Sequence, residues 1–133
     1  MAEFYSAPEV RRRLLRQLGI PGWKRVRGGK AFRIELPVVL YFNYQRLVLF
    51  VTPTDDGYTV SDNGRTFSEY SAEGGYYYGL FSEGDPNYHF EIEYKRGRIS
   101  KDYRFDYSLI SAIDEFIRLF ILLDEFMRRN NIT

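Results

Sequence analysis

Hydrophobic and polar residues alternate in the middle of the chain, and this pattern predicts a β-sheet. Residues 32–36 alternate strictly, as expected for a strand with one buried face. Denser apolar runs at 38–42 and 47–51 predict two adjacent antiparallel strands near the centre of the sheet. Residues 90–94 alternate again, and 99–105 would return beside them as a second hairpin. We therefore expect an antiparallel sheet of about five strands.

Two turn signals lie close together in the stretch TDDGYTVSDNG, which spans residues 54–64. Asp56-Gly57 predicts a tight turn between two paired strands, because glycine reaches positive φ without a Cβ clash. Asn63-Gly64 predicts that the second of these strands ends abruptly. The stretch thus predicts a hairpin followed at once by a sharp change of direction.

Helical periodicity is found near both ends of the chain. Ser6 and Glu9 form a capping box at the start of a predicted N-terminal helix, which Gly19 ends. A short helix is predicted at 66–70, after the second turn. Asp106 or Ser108 would cap a long helix that runs to about residue 129. The predicted fold class is therefore α+β, with the sheet packed against the long C-terminal helix and the shorter N-terminal helix in a single domain, 1–133.

The predicted C-terminal helix is apolar over more than half of its circumference. A helix this apolar needs more cover than one face of a small sheet provides. The N-terminal helix could supply that cover, or a second copy of the chain could. In the second case the dimer interface would contain Leu119, Leu122 and Phe126.

Residues 73–87 contain four glycines and one proline, which predicts a loop of about fifteen residues. Loops of this length often carry function, and this one is rich in aromatic residues. Tyrosine offers a large contact area at low entropic cost, as at binding hot spots. The predicted protein-binding residues are Tyr76, Tyr77, Tyr78 and Phe81. The alternative is that these side chains pack beneath the loop.

Beyond the loop, Arg96-Gly97 predicts the turn of the second hairpin.

Composition excludes several classes of site. The 133 residues include no cysteine and one histidine, which removes disulfides, thiol nucleophiles and multi-histidine metal sites. We expect His89 to be a surface or hydrogen-bonded histidine. No leader peptide and no apolar run long enough to span a membrane is visible, so we expect a soluble cytoplasmic protein without a membrane partner. No cofactor is expected.

Charge is distributed unevenly along the chain. Residues 1–46 carry ten basic and three acidic side chains, whereas residues 47–133 carry nine basic and fifteen acidic ones. A basic N-terminal third could bind the phosphates of a nucleic acid, unless opposite charges interleave on folding. Trp23 or the tyrosines of the loop could stack on single-stranded bases. The candidate nucleic-acid-binding residues are Arg11, Arg12, Arg13, Arg16, Lys24, Arg25, Arg27 and Lys30.

A metal-dependent nuclease is a further alternative. Glu93-Tyr94-Lys95 is an E-x-K motif on a predicted strand, and Asp85 or Asp62 could supply the second carboxylate for Mg²⁺. The same motif occurs on ordinary solvated hairpins. Turn chemistry also explains Asp62, as it does the aspartates at 55 and 56.

The segment from about Pro37 to Phe126 resembles the prokaryotic domain of unknown function 1828. The resemblance rests on the apolar strand at 47–52, the G-Y-T-V-S-D-N-G stretch at 57–64 and the closing apolar helix at 109–126. It covers about two-thirds of the chain and implies an α+β domain from bacteria, archaea, phages or mobile elements. It transfers no catalytic residue.

The sequence thus favours a small non-catalytic module that binds a protein. The mobile-element context that the resemblance implies suggests an inhibitor or regulator of a host or defence system, for example an anti-CRISPR protein. Nucleic-acid binding through the basic N-terminal third is the first alternative, and the E-x-K nuclease is the second. The last helix makes a homodimer conceivable.

Overall fold

The computed structural model describes residues 24–25, 31–40, 44–55, 57–67, 73–104 and 106–130, with the backbone alone at positions 24, 25, 32 and 37. These residues form an α+β fold with one six-stranded antiparallel sheet and two helices. The elements are β1 (Lys24–Arg25), β2 (Phe32–Leu40), β3 (Gln45–Pro53), β4 (Gly57–Ser61), α1 (Gly74–Gly84), β5 (Glu93–Lys95), β6 (Arg98–Arg104) and α2 (Leu109–Arg129). The predicted N-terminal helix lies outside the described residues, as does most of the predicted short helix at 66–70.

The strands follow the order β1-β2-β3-β4-β6-β5 across the sheet. The first four are joined in sequence, and the register of β2 on β3 shifts between Glu35 and Val39. This irregularity brackets Pro37, and a proline within a sheet is typically found at a bulge, at an edge or at the start of a strand. The pairing of β4 with β6 joins residues that are distant in the chain, from Gly57 opposite Arg104 to Ser61 opposite Ser100.

Helix α2 covers one face of the sheet and closes the hydrophobic core. Ser108 caps it, accepting a hydrogen bond from the backbone N–H of Ser111, as expected for an N-cap serine. Its apolar side is fully buried within one chain, at Ala112, Ile113, Phe116, Leu119, Phe120, Leu123 and Met127. The helix meets β6 directly, where the Tyr103 and Phe116 rings lie 6.5 Å apart. Burial of each large apolar side chain contributes about 1.5–3 kcal/mol, so this face is a main source of stability.

The prediction of a loop at 73–87 is wrong, because residues 74–84 form helix α1. Two of its glycines allow the first turn to approach neighbouring rings. A Cβ at Gly74 would lie 2.6 Å from the Phe67 Cβ, and one at Gly75 would lie 3.0 Å from a ring carbon of Tyr94. Glycine weakens a helix by about 1 kcal/mol per residue, and tertiary packing outweighs that cost here. Gly74 and Gly75 therefore reflect close packing, whereas a Cβ at Gly79 or Gly84 would meet nothing within 4 Å.

The predicted turns are present. The Thr54 N–H donates to the Gly57 carbonyl at 3.0 Å, which closes the β3–β4 hairpin. Asn63 and Gly64 have φ of 52° and 79°, and Arg96 and Gly97 have φ of 55° and 79°. Two successive positive φ values are typical of the tightest turns, which explains a glycine at the second position of each pair.

Gly57 has a steric reason to be glycine. A Cβ at this position would lie 1.9 Å from the Tyr103 carbonyl oxygen on the neighbouring strand β6. The glycine therefore permits the close approach of two backbones. Its φ is not positive, so the predicted reason for a glycine in this turn is wrong. In the described part of the chain, no helix is long and apolar enough to cross a membrane.

Candidate protein-binding surface

Four exposed side chains lie along one side of helix α1 and its N-cap residue, Glu73. Positions 73, 76, 80 and 83 follow the spacing of one helical face, and we call them the α1 stripe: Glu73, Tyr76, Leu80 and Glu83. Tyr76 is 66% exposed and Leu80 is 43% exposed, although both are large hydrophobic residues. The stripe is therefore apolar in its middle and acidic at both ends.

The opposite side of α1 is anchored in the core. Tyr78 is 4% exposed and Phe81 is fully buried, with the Phe81 ring 5.7 Å from that of Phe126 on α2. The Tyr78 ring stacks on Tyr94 of β5 at 5.9 Å. A helix held in this way presents its outer side rigidly, which lowers the entropic cost of binding.

Two tyrosine hydroxyls share one backbone acceptor beneath α1. Tyr78 and Tyr88 each donate to the Ile92 carbonyl oxygen at 2.7 Å, and their hydroxyl oxygens are 3.0 Å apart. Burial raises the pKa of Tyr78, and the neighbouring hydroxyl of Tyr88 raises it further. Both hydroxyls therefore stay neutral and act as structural donors.

The surroundings of the stripe are acidic. Residues 73–94 contain five carboxylates and neither lysine nor arginine. The Tyr77 hydroxyl donates to Oε2 of Glu73 at 3.0 Å, and the Tyr76 and Tyr77 rings lie 5.9 Å apart at an angle of 57°. This region attracts cations and repels phosphates.

The structure separates the four predicted protein-binding residues into two groups. Tyr76 is exposed and Tyr77 is half-buried, whereas Tyr78 and Phe81 lie in the core. For the last two, the alternative that they pack inward is therefore the correct one. Leu80 was missed, because its relation to Tyr76, four residues earlier, has meaning only if the segment is helical.

The predicted dimer residues are mostly engaged within one chain. Leu119 is fully buried in the core, and Leu122 and Phe126 are half-buried against it. Leu119 thus has no surface left for a second copy. Ile121, which is 47% exposed, was not among the predicted residues. The homodimer stays a prediction.

The residues of the nuclease alternative have structural partners or lie in solvent. The side chain of Asp85 is 2% exposed, accepts the Asn87 N–H at 2.8 Å and pairs with Arg129 at 3.5 Å. Glu93 and Lys95 are exposed on β5, which lies at one end of the strand order. Within the described ranges, no group of three metal-ligating side chains could hold an ion. His89, the single histidine of the chain, is exposed.

Asp62, the other aspartate considered for a metal, organises the turn after β4. It is 1% exposed, and its Oδ1 accepts the backbone N–H groups of Gly64 and Ile99 at 2.9 Å each. Its Oδ2 accepts the Thr66 N–H at 3.2 Å. Burial raises the pKa of Asp62, and the hydrogen bonds from these residues lower it by less. The turn interpretation of this residue is supported by the geometry.

A second polar cluster joins α2 to β6. Glu115 Oε1 accepts from Lys101 Nζ at 2.8 Å and from the Tyr103 hydroxyl at 3.0 Å. The Tyr107 hydroxyl lies 3.4 Å from Glu115 Oε2, and its ring stacks on Tyr103 at 5.0 Å. Burial and the negative charge of Glu115 raise the pKa of Tyr103. Every member of this cluster has a partner, which indicates a structural role.

Six of the eight predicted nucleic-acid-binding residues lie outside the described residues: Arg11, Arg12, Arg13, Arg16, Arg27 and Lys30. Lys24 and Arg25 form β1, where the backbone alone is described. Lys24 pairs in register with Arg33 of β2, so two basic residues stand opposite each other at this edge.

Comparison of the chain with known protein families, with curated proteins and with solved structures finds no match. The resemblance to domain of unknown function 1828 therefore stays a prediction from the sequence.

Proposed function

We propose that this protein is a small non-catalytic binding module and that the α1 stripe is its contact surface for another protein. One observation carries the proposal: Tyr76 and Leu80 are exposed together on a helix whose opposite side is locked into the core. Tyrosine is enriched at the centre of protein interfaces, and the helix presents Tyr76 with Leu80 on the same face.

The charge of the region supports a protein over a nucleic acid as the partner at this surface. Nucleic-acid binding depends on lysine and arginine that replace counterions along the phosphates. The segment 73–94 has none of these residues and five carboxylates. A partner protein can match the acidic ends of the stripe with its own basic side chains.

The proposal includes a biological context that rests on the sequence resemblance alone. A domain of prokaryotic or mobile-element origin that binds a protein without catalysis would act as an inhibitor or regulator of a host or defence system. Occupation of a functional surface on the partner would be sufficient for this role.

The test is affinity capture from lysate of the source cells, with and without nuclease treatment. Three forms of the chain are compared: the wild type, the double variant Tyr76→Ala/Leu80→Ala, and Tyr44→Ala as a matched control. Tyr44 is 80% exposed in the turn between β2 and β3, so its loss tests for non-specific contacts of an exposed tyrosine.

We expect a discrete protein to be retained by the wild type and by the control in nuclease-treated lysate, and to be lost with the double variant. Circular dichroism should show equal melting temperatures for all three forms. Retention that depends on nucleic acid, and that persists in the double variant, would contradict the proposal. In that case Arg12→Glu/Arg16→Glu should abolish binding, which would support the nucleic-acid alternative.

A further inference from the structure

Two tyrosine rings and a carboxylate meet at the first turn of α1. The rings of Tyr76 and Tyr77 lie 5.9 Å apart and are tilted by 57°. Glu73 is beside them, and its Oε2 accepts the Tyr77 hydroxyl hydrogen at 3.0 Å. Glu73 and Tyr76 are exposed, and Tyr77 is half-buried. This group of three residues is called the α1 corner.

The α1 corner has the chemistry of a site for an organic cation. The face of an aromatic ring carries negative electrostatic potential and attracts an ammonium or guanidinium group. A carboxylate accepts about four hydrogen bonds, and the Tyr77 hydroxyl uses one of them in Glu73. That bond also holds the carboxylate next to the rings, so less conformational freedom is lost when a cation binds.

Charge around the α1 corner points to the same ligand. The next acidic member of the α1 stripe is Glu83, and neither lysine nor arginine occurs between residues 73 and 94. An incoming cation therefore meets no like charge from its own segment of the chain. A phosphate group would be repelled by the same carboxylates.

We propose that the α1 corner takes an arginine side chain of the protein partner, with Leu80 packing against an apolar residue beside it. This inference rests on the proposed function and adds the chemistry of the partner. Arginine is favoured over lysine because its planar guanidinium can stack on a ring while its N–H fork pairs with a carboxylate. The partner segment is thus basic and apolar.

A phage-displayed library of random short peptides provides the probe. The library is selected on the immobilised wild-type chain after depletion on Tyr76→Ala/Leu80→Ala, so that the survivors depend on the α1 stripe. We expect the survivors to carry arginine next to an aliphatic or aromatic residue. Replacement of that arginine by citrulline, which has the same shape without the charge, should weaken binding about twofold to thirtyfold.

Matched variants of the protein separate ring chemistry from bulk. Tyr76→Phe keeps the aromatic face and should bind the selected peptides as the wild type does, whereas Tyr76→Leu should weaken them to a similar extent as citrulline. Glu73→Gln should weaken the arginine peptides and leave the citrulline peptides unchanged. Tyr44→Ala should have no effect on either.

The outcomes distinguish this inference from the proposed function. Survivors that depend on Tyr76 and Leu80 but bind equally with citrulline, or that are acidic, would overturn the arginine site and leave the protein-binding surface in place. If no peptide distinguishes the wild type from the double variant, both the α1 corner and the α1 stripe are wrong as binding sites.

Discussion

Oδ1 of Asp62 accepts the backbone N–H of Ile99 at 2.9 Å, across a separation of 37 residues. The Asp62 N–H in turn donates to the Ile99 carbonyl oxygen at 3.1 Å. The residue therefore continues the pairing of β4 with β6 by one further step, through its backbone and its side chain together. Its side chain also accepts hydrogen bonds from the turn that follows. One carboxylate therefore links β4, this turn and β6.

Replacement of Asp62 by asparagine tests how much these hydrogen bonds contribute to stability. Asparagine keeps one oxygen that can accept from Gly64 and Ile99. Its NH₂ group, however, is a donor and would face the Thr66 N–H, which is also a donor. An unsatisfied buried donor costs about 1–3 kcal/mol, and removal of the buried charge offsets part of this cost, so we expect the free energy of unfolding to fall by about 1 kcal/mol. Urea denaturation at neutral pH measures it.

The control for this change is Asp55→Asn. Asp55 lies in the β3–β4 turn and is exposed, so the same chemical change should alter the free energy of unfolding by less than about 0.5 kcal/mol. Equal effects at the two positions would contradict the proposed role of Asp62.

Gly57→Ala should destabilise the sheet. The new methyl group would lie 1.9 Å from the Tyr103 carbonyl oxygen, and only movement of β4 away from β6 can relieve that contact. We expect a loss of about 3 kcal/mol or more, at the upper end of overpacking effects. Thermal and urea unfolding would both report it.

Gly79→Ala is the opposite case and serves as the comparison. A Cβ at Gly79 has no neighbour within 4 Å, and the residue is in the middle of α1. Alanine should therefore raise the free energy of unfolding by about 0.5–1 kcal/mol. A loss of stability here would show that α1 is not a helix in solution.

Glu115→Ala and Asp114→Ala should show that the half-buried polar cluster contributes more to the free energy of unfolding than an exposed ion pair does. Lys101 is 20% exposed in its side chain and would lose its carboxylate partner, so we expect a loss of about 1.5–3 kcal/mol. The neighbouring residue Asp114 pairs with Arg118, but both side chains are about 60% exposed. Asp114→Ala should cost about 0.5 kcal/mol or less.

A salt titration of the same two variants gives an independent check. Added salt screens the exposed pair and leaves the half-buried cluster largely intact. The stability difference between Glu115→Ala and the wild type should therefore change little between low and high salt. A difference that disappears in salt would contradict the structural role of Glu115.

Tyr78→Phe and Tyr88→Phe should show strong coupling. Each single change leaves the Ile92 carbonyl with the other hydroxyl as donor, so each should cost about 0.5–1.5 kcal/mol. The double change removes both donors from a buried acceptor. A double-mutant cycle should give a coupling energy of at least about 0.5 kcal/mol, and simple additivity would contradict the shared-acceptor geometry.

The sheet was predictable because its signals are local. Alternation at 32–36, the apolar run at 47–51 and the two positive-φ turns at Asn63-Gly64 and Arg96-Gly97 each follow from a few neighbouring residues. The pairing of β4 with β6 was not among the predictions. Several antiparallel strands could lie next to β4, and the local sequence does not distinguish between them.

Helix α1 could not be predicted from its own residues. Its glycines are typical of loops, and the role of Gly74 and Gly75 depends on Phe67 and on Tyr94, which lie outside the helix. The error carried over to the site, because a loop gives no reason to separate Tyr76 from Tyr78. With the helix in place, the spacing alone distinguishes the exposed residues from the buried ones.

The direct pairing of β4 with β6 means that the chain leaves the sheet after β4 and returns to it with the β5–β6 hairpin, whose second strand lies next to β4. Covalent continuity across this excursion is thus not needed to keep the two strands together. A chain divided after Gly84 would give one piece that ends with α1 and another that contains β5, β6 and α2. Each piece would hold one strand of the β4–β6 pair. We expect the two pieces to reassemble, as in a split-protein reporter.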